Sequence, residues 1–414
     1  MQTRLASEYA DTTDGKTAEA ILRKCVHCGF CTATCPTYQL LGDELDGPRG
    51  RIYLIKQVLE GETPTRKTQL HLDRCLTCRN CETTCPSGVD YGHLVDIGRK
   101  LVDAKVPRPA SESAARWALK EGLSSPLFGP AMQLGQQVRG LLPASLQKKV
   151  PVRQATRAWP ARPHTRRMLL LAGCVQPAMA PNINGATARV LDAAGIQTVV
   201  VPRAGCCGAV KFHLNDQEGG LAQMRANIDA WWPEVERGAE AIVMNASGCG
   251  VTVKDYGHLL RDDPLYAERA RRISSLTRDL AELLPALVPA LQAARPGLAQ
   301  VAAARAPGLV FHPPCTLQHG QKIKGVVEQQ LGLLGFDIRV ANNEPHLCCG
   351  SAGTYSVLQP ALATQLRDRK LGHLQEAAPK TIVSANIGCI SHLQGGTSTP
   401  VRHWVEVLDD ALRD

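Results

Sequence analysis

Two copies of one cysteine pattern constrain this chain more than any other feature. Each copy reads Cys-x2-Cys-x2-Cys-x3-Cys-Pro, and the copies, Cys25 to Pro36 and Cys75 to Pro86, are offset by 50 residues at every position. Three cysteines spaced in this way on a tight loop can bind three corners of a [4Fe-4S] cube, whereas the fourth, followed by proline, binds the other cluster in two-cluster proteins. The spacing predicts two clusters with crossed ligation, the first bound by Cys25, Cys28, Cys31 and Cys85, and the second by Cys75, Cys78, Cys81 and Cys35.

A pair of structural zinc sites is the alternative for this segment, because zinc proteins also use Cys-x2-Cys pairs. Zinc explains neither the third cysteine of each copy nor the proline, so iron–sulfur binding is favoured. Cationic side chains next to the cysteines would help to hold an anionic cluster; they are Arg23, Lys24, Arg74 and Arg79.

Clusters of this kind pass single electrons, so the segment predicts electron transfer rather than catalysis, and no catalytic residue is predicted. The chain has no G-x-G-x-x-G fingerprint after a strand. A flavin or nicotinamide is therefore expected on a partner subunit and not on this chain.

The other eight cysteines form a second, longer repeat. Cys174, Cys206, Cys207 and Cys249 recur 140–142 residues later as Cys315, Cys348, Cys349 and Cys389. In both copies, short apolar runs alternate with helical stretches, a pattern typical of α/β lobes with mostly parallel sheets. Ligands gather at the carboxyl ends of such strands, where these cysteines fall.

The role of these eight cysteines stays open at this point. They are buried or zinc-bound thiols, or they form a redox or electron-acceptor cleft, with or without a cluster of their own. Gly208 and Gly350 of the Cys-Cys-Gly triplets are expected to let the backbone approach a cofactor. Four histidines near the cysteines are interpreted as hydrogen-bonding loop residues rather than ligands: His213, His258, His312 and His319.

Composition and charge complete the domain plan. Sixteen cysteines in 414 residues, without an apolar signal region at the N-terminus, favour metal or redox chemistry over disulfides and make secretion unexpected. The net charge of +9 equals that of residues 101–168 alone, which hold twelve Lys/Arg and three Asp/Glu, so the rest of the chain is balanced. This basic stretch suggests an acidic protein partner or an anionic membrane surface.

The predicted parts are a cluster domain (1–103), a basic Pro-interrupted connector (104–165), a first lobe (166–280), an inter-lobe linker (281–307) and a second lobe (308–414).

Several segments resemble a known family, the iron–sulfur subunits of flavin-linked hydroxyacid dehydrogenases, and within it those of bacterial glycolate oxidase (glycolate dehydrogenase). They are CVHCGFCTATCPTYQLLGDELDGPRGRIYLIKQVLEG, HLDRCLTCRNCETTCPSGV, AGCCGAV, ASGCG, CTLQH, HLCCGSAGTY and SANIGC. The resemblance implies an α-helical ferredoxin-type N-terminal domain beside the two α/β Cys-Cys-Gly lobes. It also implies a complex with two flavoprotein-type subunits, one of which holds FAD and the glycolate site. Electrons would pass from that FAD through this chain toward the respiratory quinone pool, in the cytoplasm at the inner face of the cell membrane.

The chain departs from some relatives at the end of each lobe. Heterodisulfide reductase subunits carry a Cys-x2-Cys pair there, but the earlier position is Ala246 in one lobe and Asn386 in the other. The double-cuboid cluster of those relatives is therefore not expected, and we expect about eight irons per chain, all in the first domain.

Two other functions compete with glycolate oxidation. The first keeps the architecture and changes the substrate, as in the corresponding subunit of an anaerobic glycerol-3-phosphate or D-lactate dehydrogenase. The second is an iron–sulfur sensor that binds nucleic acid through the basic connector; few aromatic residues accompany the basic ones, so no nucleic acid is expected.

Overall fold

The computed structural model describes residues 1–143, 147 and 150–413. It confirms the predicted fold class: a helical N-terminal domain is followed by two α/β lobes, each built on a four-stranded parallel sheet. The predicted domain boundaries remain a prediction. Parts of the predicted connector (144–146 and 148–149) and residue 414 lie outside the described residues.

The N-terminal domain consists of helices around a small apolar core. Ile21, Leu22, Ile55, Leu59 and Leu94 are among the side chains that fill this core. The helices are Ser7–Ala10, Thr13–Lys24, Phe30–Ala33, Pro36–Leu41, Pro48–Leu59, Arg66–Asp73, Asn80–Thr84 and Tyr91–Lys105, with a 3-10 turn at Glu44–Asp46. The helix Pro48–Leu59 begins with Pro48 in its first turn, where proline's missing N–H costs nothing.

Within its described residues, the connector forms two surface helices, Ala110–Ser124 and Phe128–Gln137, and a 3-10 turn at Arg139–Leu141. Much of the charge around it is paired within the chain. Arg157 contacts Asp409 and Asp410, Arg166 contacts Glu240, and Arg167 contacts Glu234. The acidic surface expected of a partner is thus supplied in part by the chain's own lobes.

The two lobes share one strand order. In the first lobe the order is β2-β1-β3-β4, from β1 (Arg166–Leu170), β2 (Ile196–Val200), β3 (Ile242–Met244) and β4 (Thr277–Asp279). In the second it is β6-β5-β7-β8, from β5 (Leu309–His312), β6 (Ile338–Val340), β7 (Thr381–Ser384) and β8 (Val401–His403). The apolar runs predict three of the four strands of each lobe, β1 to β3 and β5 to β7. The short edge strands β4 and β8 carry polar residues and give no such signal.

Helices cover both faces of these sheets. The first lobe contributes Gln176–Met179, Asn182–Ala193, Ala209–His213, Gln217–Glu236, Ser247–Lys254, Tyr256–Leu259 and Ala267–Leu276. The second contributes the π-helical turn Thr316–Gly320 and the helices Val326–Leu333, Tyr355–Leu358, Pro360–Gln375, Ile387–Gln394 and Trp404–Ala411. Gly195 and Gly335 have left-handed backbone conformations just after their helices.

The segment between the lobes is not an extended linker. It forms the helices Leu280–Ala294 and Leu298–Arg305, despite Pro285 and Pro289 inside the first of them. Leu284, Leu287 and Leu291 join side chains of both lobes in one continuous core. The lobes are therefore packed against each other through a shared apolar interior.

Candidate metal centres

The first pocket, called site 1 below, lies at the surface of the N-terminal domain. Its volume is about 440 Å³, and its walls include the thiols of the first cysteine loop together with the fourth cysteine of the second copy. These are Cys25, Cys28, Cys31 and Cys85. Cys28 is exposed, and the apolar side chains of Val26 and Phe30 at the rim are also exposed. Site 1 therefore opens to solvent.

The second pocket, site 2, lies deeper. Its volume is about 300 Å³, and its walls hold the three cysteines of the second loop and the fourth cysteine of the first copy. They are Cys35, Cys75, Cys78 and Cys81. Cys81, Pro48 and Tyr91 border both pockets, so the two sites share a wall. The Tyr91 hydroxyl in this wall donates a hydrogen bond to Cys75 Sγ at 3.6 Å.

The two cysteine loops have matching backbones. His27 and Thr77, which are equivalent positions, both have positive φ, and so do the equivalent Gly29 and Arg79. Non-glycine residues rarely adopt this conformation, and it concentrates at functional sites. The two loops therefore share one backbone conformation, which their non-glycine residues would not favour in isolation.

Burial favours the protonated form of a thiol in each loop in the absence of a cation. It raises the pKa of Cys31 to about 11, with Cys25 adding to the effect, and it raises the pKa of Cys78 well above the ordinary thiol value. Binding a metal would release these protons, since a thiol binds as thiolate. Four clustered soft donors fit iron or zinc better than hard cations.

Two arginines that sequence reasoning missed carry the charge at these sites. Both come from the helix Pro48–Leu59: Arg49 borders site 1, and Arg51 borders site 2. Arg51 is buried and donates to the His71 carbonyl at 2.7 Å and to Thr37 Oγ1 at 3.1 Å. The sequence feature that could have pointed to them is the pair of arginines just after Pro48, at the start of a helix.

Of the four predicted cationic residues, one borders a site. Arg79 lines site 2. The other three form ion pairs: Arg23 with Glu19, Lys24 with Asp90, and Arg74 with Asp46.

Site 2 faces the second lobe. Leu76 and Cys78 pack with Cys315, Leu347 and Cys348 in one buried cluster. Thr83 Oγ1 also lies 3.1 Å from His319 Nδ1 across the same contact. The Cys315 and Cys348 sulfurs, 3.9 Å apart, are therefore near neighbours of a site 2 thiol.

In each lobe the four predicted cysteines converge. In the first lobe the thiols form a chain in which Cys174 contacts Cys206, Cys206 contacts Cys207, and Cys207 contacts Cys249. In the second lobe the equivalent chain runs through Cys315, Cys348, Cys349 and Cys389, each in contact with the next. Thiol hydrogen bonds from its neighbours lower the pKa of Cys206. All four second-lobe cysteines are buried, whereas Cys174 and Cys249 of the first lobe are half-buried.

The glycines of the Cys-Cys-Gly triplets pack closely against helices of their own lobes. Both have positive φ, and a Cβ at Gly208 or Gly350 would lie 2.8 Å from the Gly220 carbonyl oxygen or 2.5 Å from that of Ala363. These contacts are too short for any side chain. The glycines let the cysteine loop approach the helix behind it within the same lobe.

Three of the four singled-out histidines make the expected polar contacts. His213 contacts Asp96, His258 contacts Arg261, and His319 contacts Thr83. His312 does not: among the described residues, neither of its ring nitrogens has a hydrogen-bond partner.

Comparisons with known proteins follow this division of the chain. Residues 21–89 match the 4Fe-4S dicluster domain family, and residues 168–254 and 309–394 each match the cysteine-rich domain family. Both matches coincide with the thiol-bearing regions described above.

Three curated relatives illustrate the range of similarity. The glycolate oxidase iron-sulfur subunit of Escherichia coli (strain K12) is 54% identical over 100% of this chain and 99% of the relative. A probable glycolate oxidase iron-sulfur subunit of Bacillus subtilis (strain 168) is 28% identical over 95% and 92% of the two chains. Lactate utilization protein A of Bacillus licheniformis is 25% identical over 59% of this chain and 99% of the relative. With more than half of its residues identical over its full length to one of them, the chain belongs to the family of glycolate oxidase iron–sulfur subunits.

Proposed function

We propose that this chain is the electron-transfer subunit of a glycolate oxidase, receiving electrons from the FAD of a partner subunit that converts glycolate to glyoxylate. It passes them toward the respiratory quinone pool and performs no catalysis itself. The observation that carries the proposal is the paired thiol pockets, two adjacent four-cysteine sites with a common wall. A [4Fe-4S] cluster accepts and donates one electron at a time, which suits a relay between a flavin and an acceptor.

The pocket walls support the crossed assignment of ligands. Cys85 borders site 1 and Cys35 borders site 2, although each belongs to the other sequence copy. We assign Cys25, Cys28, Cys31 and Cys85 to one cluster and Cys75, Cys78, Cys81 and Cys35 to the other. The buried Arg51 beside site 2 and the half-exposed Arg49 beside site 1 each offset part of the negative charge that four thiolates bring.

Site 1 is the side on which we place the flavin-containing subunit. Its rim exposes Val26 and Phe30, and the half-exposed Arg49 adds a positive charge. Apolar side chains that stay exposed around a functional opening are typical of a protein contact. A second flavoprotein-like subunit completes the complex.

The competing functions have less support. The relative named for lactate utilization matches over only 59% of this chain, whereas the glycolate oxidase subunit matches over all of it. The nucleic-acid sensor requires free positive charge on the connector. Arg108, Arg116 and Lys120 instead pair with Asp73, Asp73 and Asp216.

The connector supports a peripheral contact with the cytoplasmic face of the membrane. Among the described residues, no helix has the length and apolar character that a membrane crossing requires. The described part of the connector nevertheless exposes seven large apolar side chains: Trp117, Leu127, Leu134, Val138, Leu141, Val152 and Trp159. Exposed apolar side chains on surface helices are typical of surface-lying membrane segments. Leu134→Ser with Leu141→Ser should reduce co-sedimentation with phosphatidylglycerol vesicles, and unchanged co-sedimentation would contradict this contact.

The function is tested by purifying the chain alone and with its flavoprotein partners. The isolated chain should contain about eight irons and no stoichiometric FAD, and should not oxidise glycolate. Glycolate-dependent reduction of a quinone should require the whole complex. FAD bound to the isolated chain, or quinone reduction at an equal rate without this chain, would contradict the proposal.

A further inference from the structure

A buried histidine without partners marks the interior of the second lobe. His312 ends strand β5, its solvent exposure is 0%, and both ring nitrogens lack a hydrogen bond among the described residues. Its backbone is fixed, because Ser384 Oγ of the adjacent strand β7 donates to the His312 carbonyl at 2.9 Å. An imidazole left unpaired in this way is unfavourable, because a buried polar group without a partner has lost its hydrogen bonds to water. A ligand for the ring would remove that cost.

Two thiols face the ring. One nitrogen of His312 and the sulfurs of Cys349 and Cys389 all lie within 4.8 Å of one another, and both cysteines are buried. A tetrahedral zinc ion with bonds of about 2.0–2.3 Å holds its ligand atoms roughly 3.5–4 Å apart. The three atoms are thus close enough to bind one ion with only small adjustments.

The first lobe lacks this arrangement although it has the same thiols. His312 precedes Cys315 by three residues, and the residue that precedes Cys174 by three is Leu171. Leu171 is also buried, so an apolar side chain satisfies the packing at this position of the lobe. The histidine is therefore an addition particular to the second lobe, and packing does not explain it.

Charge balance favours a divalent ion. Lys370 is the cation whose charge acts on His312, and a neutral imidazole nitrogen is a metal ligand. Lys370 itself is occupied, because its Nζ donates to the carbonyls of Glu344 and Pro345. Two thiolates, a neutral imidazole and a divalent cation sum to zero, which a buried site tolerates.

We propose that His312, Cys349 and Cys389 bind one mononuclear Zn²⁺ ion inside the second lobe. Imidazole with two thiolates is a donor set that zinc prefers. Three protein ligands leave one coordination position for an exogenous ligand. The site is separate from sites 1 and 2, and it holds the end of β5 to the loops that carry the two cysteines.

The direct test is metal analysis and zinc K-edge absorption spectroscopy of the full-length chain, purified without oxygen and supplied with zinc chloride. We expect about one zinc per chain, with two sulfur ligands near 2.3 Å and one nitrogen near 2.0 Å. Absence of zinc, zinc bound only by sulfur, or about twelve or more irons in place of zinc would each overturn the proposal. This measurement needs no variant, so it stands even where a substitution prevents folding.

Variants then identify the ligands. His312→Leu, which gives the second lobe the residue of the first, should lower the zinc content at least tenfold and leave the N-terminal iron unchanged. The matched control is Cys207→Ser with Cys249→Ser in the first lobe, which should keep the zinc. Full zinc content in His312→Leu, or zinc lost only in the first-lobe variant, would overturn the assignment.

Discussion

Sites 1 and 2 have the same cysteine pattern and the same loop backbone, but their surroundings differ. Site 1 opens to solvent, with Cys28 exposed and Val26 and Phe30 uncovered at its rim. Site 2 lies under the second lobe, where Cys78 packs beside Cys315 and Cys348. The comparison shows that a duplicated motif determines which thiols meet, whereas the domains packed around it determine what each site can contact.

The largest expected effect tests which thiols belong to which site. Cys85→Ser should remove about four of the eight irons, because the remaining three thiols hold a cube poorly. Adding Cys28→Ser, at the same pocket, should remove little more iron, whereas adding Cys78→Ser should remove nearly all of it. Iron analysis and absorbance of the anaerobic chain measure this. The opposite pattern, with Cys78→Ser adding no loss, would show that Cys85 belongs to site 2.

The next effect compares two arginines on one helix. Arg51, 1% exposed, donates to the His71 carbonyl and to Thr37 Oγ1, and Arg51→Met would leave that buried carbonyl short of a partner. We expect a loss of about 1–3 kcal/mol in the free energy of unfolding. Arg49 is half-exposed and pairs with Glu44. Arg49→Met should cost at most about 1 kcal/mol. Denaturant unfolding followed by cluster absorbance gives both values, and equal losses would remove the distinction between the sites.

A smaller effect concerns pH at the contact between the N-terminal domain and the first lobe. His258 stacks on His93 at 3.9 Å, and burial, followed by the charge of His93, lowers the pKa of His258 to about 4. Between these two pKa values His258 is protonated in the unfolded chain and neutral in the folded chain. The free energy of unfolding should therefore fall as the pH drops from about 6.5 to about 4. Allowing for partial exposure, we expect a contribution of about 1–2 kcal/mol.

His258→Gln should flatten that part of the stability profile. His27→Gln, at the exposed rim of site 1, is the matched control; burial lowers the pKa of His27 as well, but its ring is more exposed, so this variant should flatten the profile less than His258→Gln does. An identical pH dependence in the wild-type chain and His258→Gln would contradict the assignment to this contact.

The smallest effect on the chain itself is expected at the rim of site 1. Phe30→Ser should leave the iron content and the unfolding free energy unchanged. It should weaken binding of the flavin-containing subunit by about 1–2 kcal/mol, the range of a typical interface contact. Leu265→Ser, which changes an exposed leucine of the first lobe, is the control. Equal binding by the two variants in a titration would place the flavoprotein contact elsewhere.

The sequence predicted the regions whose signal is local. Apolar runs marked three of the four strands in each lobe, and the cysteine spacing grouped the thiols that line sites 1 and 2. The roles of Arg51 and His312 could not be predicted, because they depend on which distant segments pack around them. The same holds for the triplet glycines, whose carbonyl neighbours in Gly220 and Ala363 belong to a later helix.

The most direct test of the account is an anaerobic reduction of the assembled complex with glycolate, followed by electron paramagnetic resonance of the iron–sulfur signals. The account predicts that glycolate reduces clusters of this chain when the flavin-containing subunit is present and leaves them oxidised when it is absent. Clusters that stay oxidised in a complex with full FAD content and active glycolate oxidation would contradict an electron-transfer role for this chain.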